Sequence, residues 1–71
     1  MEKALIALSA ALCIAVTGLA TAWAQSKIGS AGAGALAEKP EVSGTIIILM
    51  AIPETIVILG FVVAIMIVLG I

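Results

Sequence analysis

The chain has no histidine and a single cysteine, Cys13, set in an apolar run. Without a second thiol there is no intrachain disulfide. Without histidine, neither a Cys/His metal site nor a Ser-His-Asp triad can be assembled. Cys13 reads as a small apolar filler. Charge is scarce too: three basic and four acidic residues among 71, for a net charge of −1. Three cations cannot form a phosphate-binding surface, which excludes nucleic acid as a partner. There is no glycine-rich phosphate-binding loop, so chemistry on a nucleotide is excluded as well. What fills the chain instead is apolar: 65% of its residues, against roughly half in a soluble domain. A soluble chain of this length would bury only a marginal core, a difficulty that a lipid bilayer removes.

Two long apolar runs flank one polar stretch. The first, Ala4 to Ala24, is 21 residues without a charge, about one bilayer thickness. The second, Thr45 to Ile71, is 27 residues. Between them lies QSKIGSAGAGALAEKPEVSG, with four of the seven charged residues: Lys27, Glu38, Lys39 and Glu41. In lipid, only helices and closed barrels satisfy their own backbone. Neither run alternates polarity as a barrel strand does, so both are expected to be helices despite the many Ile and Val residues of the second. Pro40 pushes Lys39 out of the helical region, and Glu38-Lys39-Pro40-Glu41 reads as a tight polar turn. The predicted fold is all-α and membrane-embedded, a two-helix transmembrane hairpin. Helix 1 covers about 3–38, the turn about 38–42 and helix 2 about 43–70. Lys27 and Lys39 near the turn, against Lys3 at the other end, favour a turn facing the cytoplasm.

A rival reading takes residues 1–24 as a secretory signal cleaved after Ala24, since Ala22-Trp23-Ala24 fits the A-x-A pattern. Its apolar core is long for a signal, which usually has about 7–15 such residues. Cleavage would also leave one span holding Glu54 without an internal partner.

Glu54 is the only charged residue between Thr45 and Ile71 and lies nine residues into that run. A carboxylate at such depth costs on the order of 2.5–3.5 kcal/mol or more and marks a functional site by default. It is neutralised by taking a proton or by binding a cation. Gln25 lies 15 residues before Pro40 and Glu54 lies 14 after it. Folding at Pro40 therefore brings both to about 21–23 Å from the turn, so two polar groups on adjacent helices meet at one depth. Protonated, Glu54 is expected to donate an O–H to the Gln25 amide oxygen. Ionised, it could share Na⁺ with that oxygen and the Thr55 hydroxyl, a hard cation among oxygen ligands. Pro53 frees the carbonyl of Leu49, four residues back, as a further oxygen. On helix 1, Gly18, Thr21, Ala22, Gln25, Gly29 and Gly32 fall near one another at helical spacing and form a small-residue face suited to close packing. Lys27, two residues beyond Gln25, points away from Glu54 and snorkels.

The segments AQSKIGSAGAGALAEKPE (Ala24 to Glu41) and PETIVILGFVVAIMIVLG (Pro53 to Gly70) carry a family resemblance. The chain resembles the proteolipid c subunit of rotary ATP synthases, in its A-type and V-type form. The resemblance implies a non-catalytic subunit that assembles with identical copies into a membrane rotor ring, the thin helix 1 inside and the bulkier helix 2 outside. Glu54 would carry H⁺ or Na⁺ through the membrane as the ring turns against a stator subunit bearing a basic residue, an Arg. The turn, Glu38, Lys39, Pro40 and Glu41, would touch the central stalk. In sodium-carrying members the site is a helix 1 Gln, the carboxylate, the following hydroxyl residue and a backbone oxygen. Gln25, Glu54 and Thr55 match the first three, and the oxygen would come from Ile52. Some such members add Gln or Tyr after the carboxylate, where this chain has Ile56 and Leu59; both cations stay open. With one hairpin and its own Glu54, each copy would carry one ion. The resemblance implies the cytoplasmic membrane of an archaeon or bacterium, and no cofactor beyond the transported ion. The alternatives are a non-rotary membrane hairpin, pore-forming or regulatory, and the secreted precursor. A pore wants a polar stripe along a helix, and helix 2 offers only Glu54 and Thr55.

Overall fold

A computed structural model describes residues 2–71. Helix α1 spans Glu2–Glu38 and helix α2 spans Ser43–Leu69. A short 3₁₀ turn, Pro40–Val42, joins them. The fold is the two-helix hairpin, with a long axis of 55 Å. That exceeds the roughly 30 Å hydrocarbon core of a bilayer, so the charged turn lies beyond it.

The turn follows from its sequence. Lys39 takes an extended conformation, φ −136° and ψ 87°, because the Pro40 ring bars the helical one. Its N–H still closes α1 on Ala35 O at 2.8 Å. Pro40 begins the 3₁₀ turn, where its missing N–H costs nothing, and Val42 N–H returns to Lys39 O at 3.1 Å. At the far end, α2 stops at Gly70, whose φ of 74° is left-handed, the conformation in which a glycine closes a helix at least cost.

The glycines of α1 do not interrupt it. Gly29, Gly32 and Gly34 all lie inside the continuous helix. Of the six small or polar residues predicted to share a face, Gly18, Thr21, Gln25, Gly29 and Gly32 turn toward α2, and Ala22 is exposed. Ala22 sits about 100° around from Thr21, at the edge of that face. Along α2, the seam facing α1 runs through Ile46, Met50, Pro53, Val57, Gly60, Ala64 and Ile67, with the half-buried Glu54 at its edge beside Pro53. Their alternating steps of four and three keep one seam facing the partner helix.

The seam is close. A Cβ placed on Gly32 would stand 2.8 Å from Ile46 Cγ2, and one on Gly60 would collide with Thr17 Oγ1. Between the helices no large side chain is fully buried, and Ala10 and Ala64 are the only buried hydrophobic residues among those described. The large apolar side chains point outward, among them Leu19, Trp23, Ile47, Ile52, Leu59 and Phe61. Such a surface suits lipid and neighbouring helices rather than water.

Candidate functional site

Midway along the hairpin, Gln25 and Glu54 meet. Gln25 Nε2 donates to Glu54 Oε2 at 2.7 Å, and also to Met50 O at 3.1 Å. Both side chains are half-buried. The fixed rise of a helix sets the depth match. What settles the orientation of the amide is Met50. A backbone carbonyl only accepts, so the Gln25 atom beside it must be the NH₂ group, and that group reaches Glu54 with its second proton. Glu54 is therefore the acceptor in this pair. The sequence suggests the reverse, a protonated Glu54 donating to the amide oxygen. The carbonyl of Met50, invisible to side-chain reasoning, turns the amide over.

The backbone oxygens facing α1 also differ from the expected one, Leu49 O, freed by the proline. The carbonyls that accept from α1 are instead Met50 O, from Gln25, and Pro53 O, from Thr21 Oγ1 at 2.9 Å. Leu49 is exposed at the flank of the seam, lining a groove with Ala31 and Gly32 of α1, and no side chain of α1 bonds its carbonyl. Proline removes a donor from Leu49, but azimuth decides which carbonyls face the partner.

Thr55 and Ile52 stand apart from the Gln25–Glu54 pair within the hairpin. Thr55 is exposed, and its hydroxyl donates to Ile52 O at 2.7 Å. A threonine inside a helix commonly bonds back in this way. These two oxygens lie together on the open face of α2, Thr55 being about 100° around from Glu54. Lys27 turns to Trp23, its Nζ 5.5 Å from the ring centroid, a cation–π arrangement that keeps the ammonium off Glu54. Glu38, Lys39, Pro40 and Glu41 are all exposed at the turn.

Sequence reasoning missed the polar row to which Gln25 belongs. Cys13, Thr17, Thr21 and Gln25 recur every four residues, one above another on the face of α1 that meets α2. Cys13 Sγ contacts Gly60 O at 3.3 Å, and Thr21 and Gln25 take the next carbonyls down. Thr17 bonds within its own helix, to Cys13 O at 2.7 Å, and fills the space left by Gly60. The i, i+4 spacing of these four was the available signal.

Comparison with known proteins adds to this geometry. The family of the ATP synthase C subunit matches residues 8–67. The V-type sodium ATPase subunit K of Enterococcus hirae is 48% identical over 63 residues, covering 89% of this chain and 40% of its own length. The A-type ATP synthase subunit K of Methanocaldococcus jannaschii is 39% identical over 61 residues, covering 86% of this chain and 28% of its own. The chain thus spans less than half the length of either relative.

Proposed function

The chain belongs to the ATP synthase C subunit family, and from that membership we propose that copies of this hairpin form a membrane rotor ring in which Glu54 carries cations across the bilayer. The hairpin is an integral membrane protein of two apolar spans. It serves as a non-catalytic part of a rotary ATP synthase or ATPase. The observation that carries the reading is the Gln25–Glu54 bond, 2.7 Å, at mid-depth in an otherwise apolar pair of helices. A bare carboxylate is excluded from lipid. Neutralised by H⁺ or Na⁺, Glu54 can pass the lipid face as the ring turns. A basic stator residue, an Arg, then releases the ion and prevents a short circuit. The exposed turn at Glu38, Lys39, Pro40 and Glu41 meets the central stalk on the cytoplasmic side.

A proton needs only the carboxylate. Sodium needs several oxygens, and with Nε2 facing Glu54 the Gln25 amide offers none there. Half a turn of the amide would replace the NH₂ group by Oε1, so that Gln25, Glu54 and Met50 present three oxygens toward one point. Thr55 Oγ1 and Ile52 O, on the open face, join that set where adjacent copies meet. Sodium is supported by this donor set and by the sodium named in the Enterococcus relative.

The test is Glu54→Gln in the assembled complex. Ion-coupled ATP synthesis, or ATP-driven ion uptake into vesicles, should be abolished while the ring still assembles. Retained coupling would sink the proposal. Covalent modification of Glu54 by a carbodiimide separates the cations: slowing by Na⁺ at neutral pH identifies sodium.

A further inference from the structure

Thr21 is the one buried polar side chain among the described residues, 4% exposed. Its hydroxyl behaves unlike the four others that make a hydrogen bond. Those of Ser9, Thr17, Ser26 and Thr55 each return to a carbonyl three or four residues back on their own helix. That back-bond is the usual resting place of a helical hydroxyl. Thr21 forgoes it and reaches across to Pro53 O on α2, 2.9 Å away. Pro53 is the residue before Glu54, and the same carbonyl carbon begins the peptide unit that leads into Glu54.

Thr21 and Gln25 are one turn apart on α1, and their acceptors, Pro53 and Met50, are one turn apart on α2. Two bonds between the same pair of helices, at two levels, fix rotation as well as distance. Both levels bracket the turn of α2 that bears Glu54. Proline leaves that turn one intrahelical bond short and prone to bend, so an outside hold on it has more effect there than elsewhere. In lipid, burial does little to resist rotation of α2, because apolar residues surround the helix on every side.

We propose that Thr21 is a positioning residue for the ion site: by holding the Pro53 carbonyl it keeps α2 rotated so that the Glu54 carboxylate stays within reach of Gln25. This rests on the reading of Glu54 as the carrier but concerns a different residue and bond.

The experiment uses the full chain as the purified membrane oligomer, comparing parent, Thr21→Val, Thr21→Ser and Thr21→Ala. The first readout is isotope-edited infrared absorption of a ¹³C-labelled proline carbonyl, with Pro40 replaced in all samples so that Pro53 alone is labelled. Thr21→Val should shift the Pro53 band to higher frequency, and Thr21→Ser should leave it in place. The second readout is the rate at which a carbodiimide modifies Glu54. Loss of one interhelical bond of this kind should raise that rate about threefold to tenfold in Thr21→Val, with Thr21→Ser within about twofold of the parent. If Thr21→Val matches the parent in both readouts, the proposal is overturned. It is equally overturned if Thr21→Ser changes as much as Thr21→Val, since the methyl rather than the hydroxyl would then be responsible. Should Thr21→Val fail to assemble, the Ser and Ala variants decide: a shift in Ala alone supports the proposal and equal behaviour refutes it. Failure of Glu54 itself as the carrier would show separately, as coupled transport retained in Glu54→Gln.

Discussion

Replacing Gly60 by alanine tests how the two helices are held apart. A Cβ at that position would collide with Thr17 Oγ1 and stand 2.7 Å from Thr17 Cγ2 and 2.8 Å from Thr17 Cβ. Carbon atoms rest at about 3.5–4.0 Å, so the shortfall is roughly 1 Å. Turning the Thr17 side chain cannot remove it, because Cβ is fixed to the backbone of α1. The rotamer is also held by the β-branch and by the 2.7 Å bond to Cys13 O. The helices must therefore part. The first casualty is the contact of Cys13 Sγ with the carbonyl of Gly60 itself. Overpacking of this kind costs about 1–3 kcal/mol, partly offset by the ~1 kcal/mol that alanine gains over glycine in a helix. Gly34 is the control, since a Cβ there meets nothing within 4 Å and the helical gain stands alone. The two variants should differ by about 1–3 kcal/mol, read as a lower thermal midpoint for Gly60→Ala than for Gly34→Ala in the purified, detergent-solubilised protein. Adding Thr17→Ala to Gly60→Ala removes Oγ1 and Cγ2, two of the three offending atoms, and should recover part of the loss as a measurable coupling between the sites. Equal melting of Gly60→Ala and Gly34→Ala, or no recovery in the double variant, would refute the packing described.

Two further outcomes follow from the site. Gln25→Leu removes both donors, to Glu54 Oε2 and to Met50 O. Carbodiimide modification of Glu54 should quicken, and any protection by Na⁺ should fall about tenfold or more, as expected when a hydrogen bond to a charged group is lost. Unchanged protection would remove Gln25 from the site. Thr55→Val should leave stability within about 0.5 kcal/mol, as for an exposed position, because its hydroxyl bonds only its own helix. A fall in sodium protection without a fall in stability would then identify Thr55 as a ligand between copies, and no change in either would exclude it.

Depth in this protein was legible from sequence, and azimuth was not. The hairpin follows from two apolar runs and a proline between them. The meeting of Gln25 with Glu54 follows from nearly equal counts on either side of Pro40, because a helix rises by a fixed amount per residue whatever its side chains. Rotation about the helix axis has no such rule here. A soluble helix declares its buried face by an apolar stripe. In these helices nearly every face is apolar, so that stripe is missing. The sequence accordingly points to a freed Leu49 carbonyl, whereas Met50 and Pro53 accept from α1; it suggests a Gln25 amide turned the other way round; and it puts Ala22 on the small-residue face, where the structure exposes it. Thr21 entered only as one of several small residues, although the four-residue recurrence of Cys13, Thr17, Thr21 and Gln25 marks the face that meets α2.

The same lack of an apolar stripe explains why polar contacts carry the specificity of this hairpin. With only Ala10 and Ala64 as buried hydrophobic residues among those described, side-chain volume contributes little to choosing one rotation of α2 over another. The choice falls to close approach at Gly32 and Gly60 and to the donors at Cys13, Thr21 and Gln25. Those donors are distributed unevenly over their targets. Gly60, Pro53 and Met50 are each held through a backbone carbonyl, whereas the Glu54 carboxylate receives one bond, from Gln25. A backbone held at three levels and a carboxylate held once make different demands on motion. Releasing the carboxylate requires breaking a single hydrogen bond, while rotating α2 requires breaking several together. If Glu54 takes up an ion, crosses lipid and gives the ion back, as proposed above, it can therefore do so by swinging about its own side-chain torsions while the helix that bears it keeps its place.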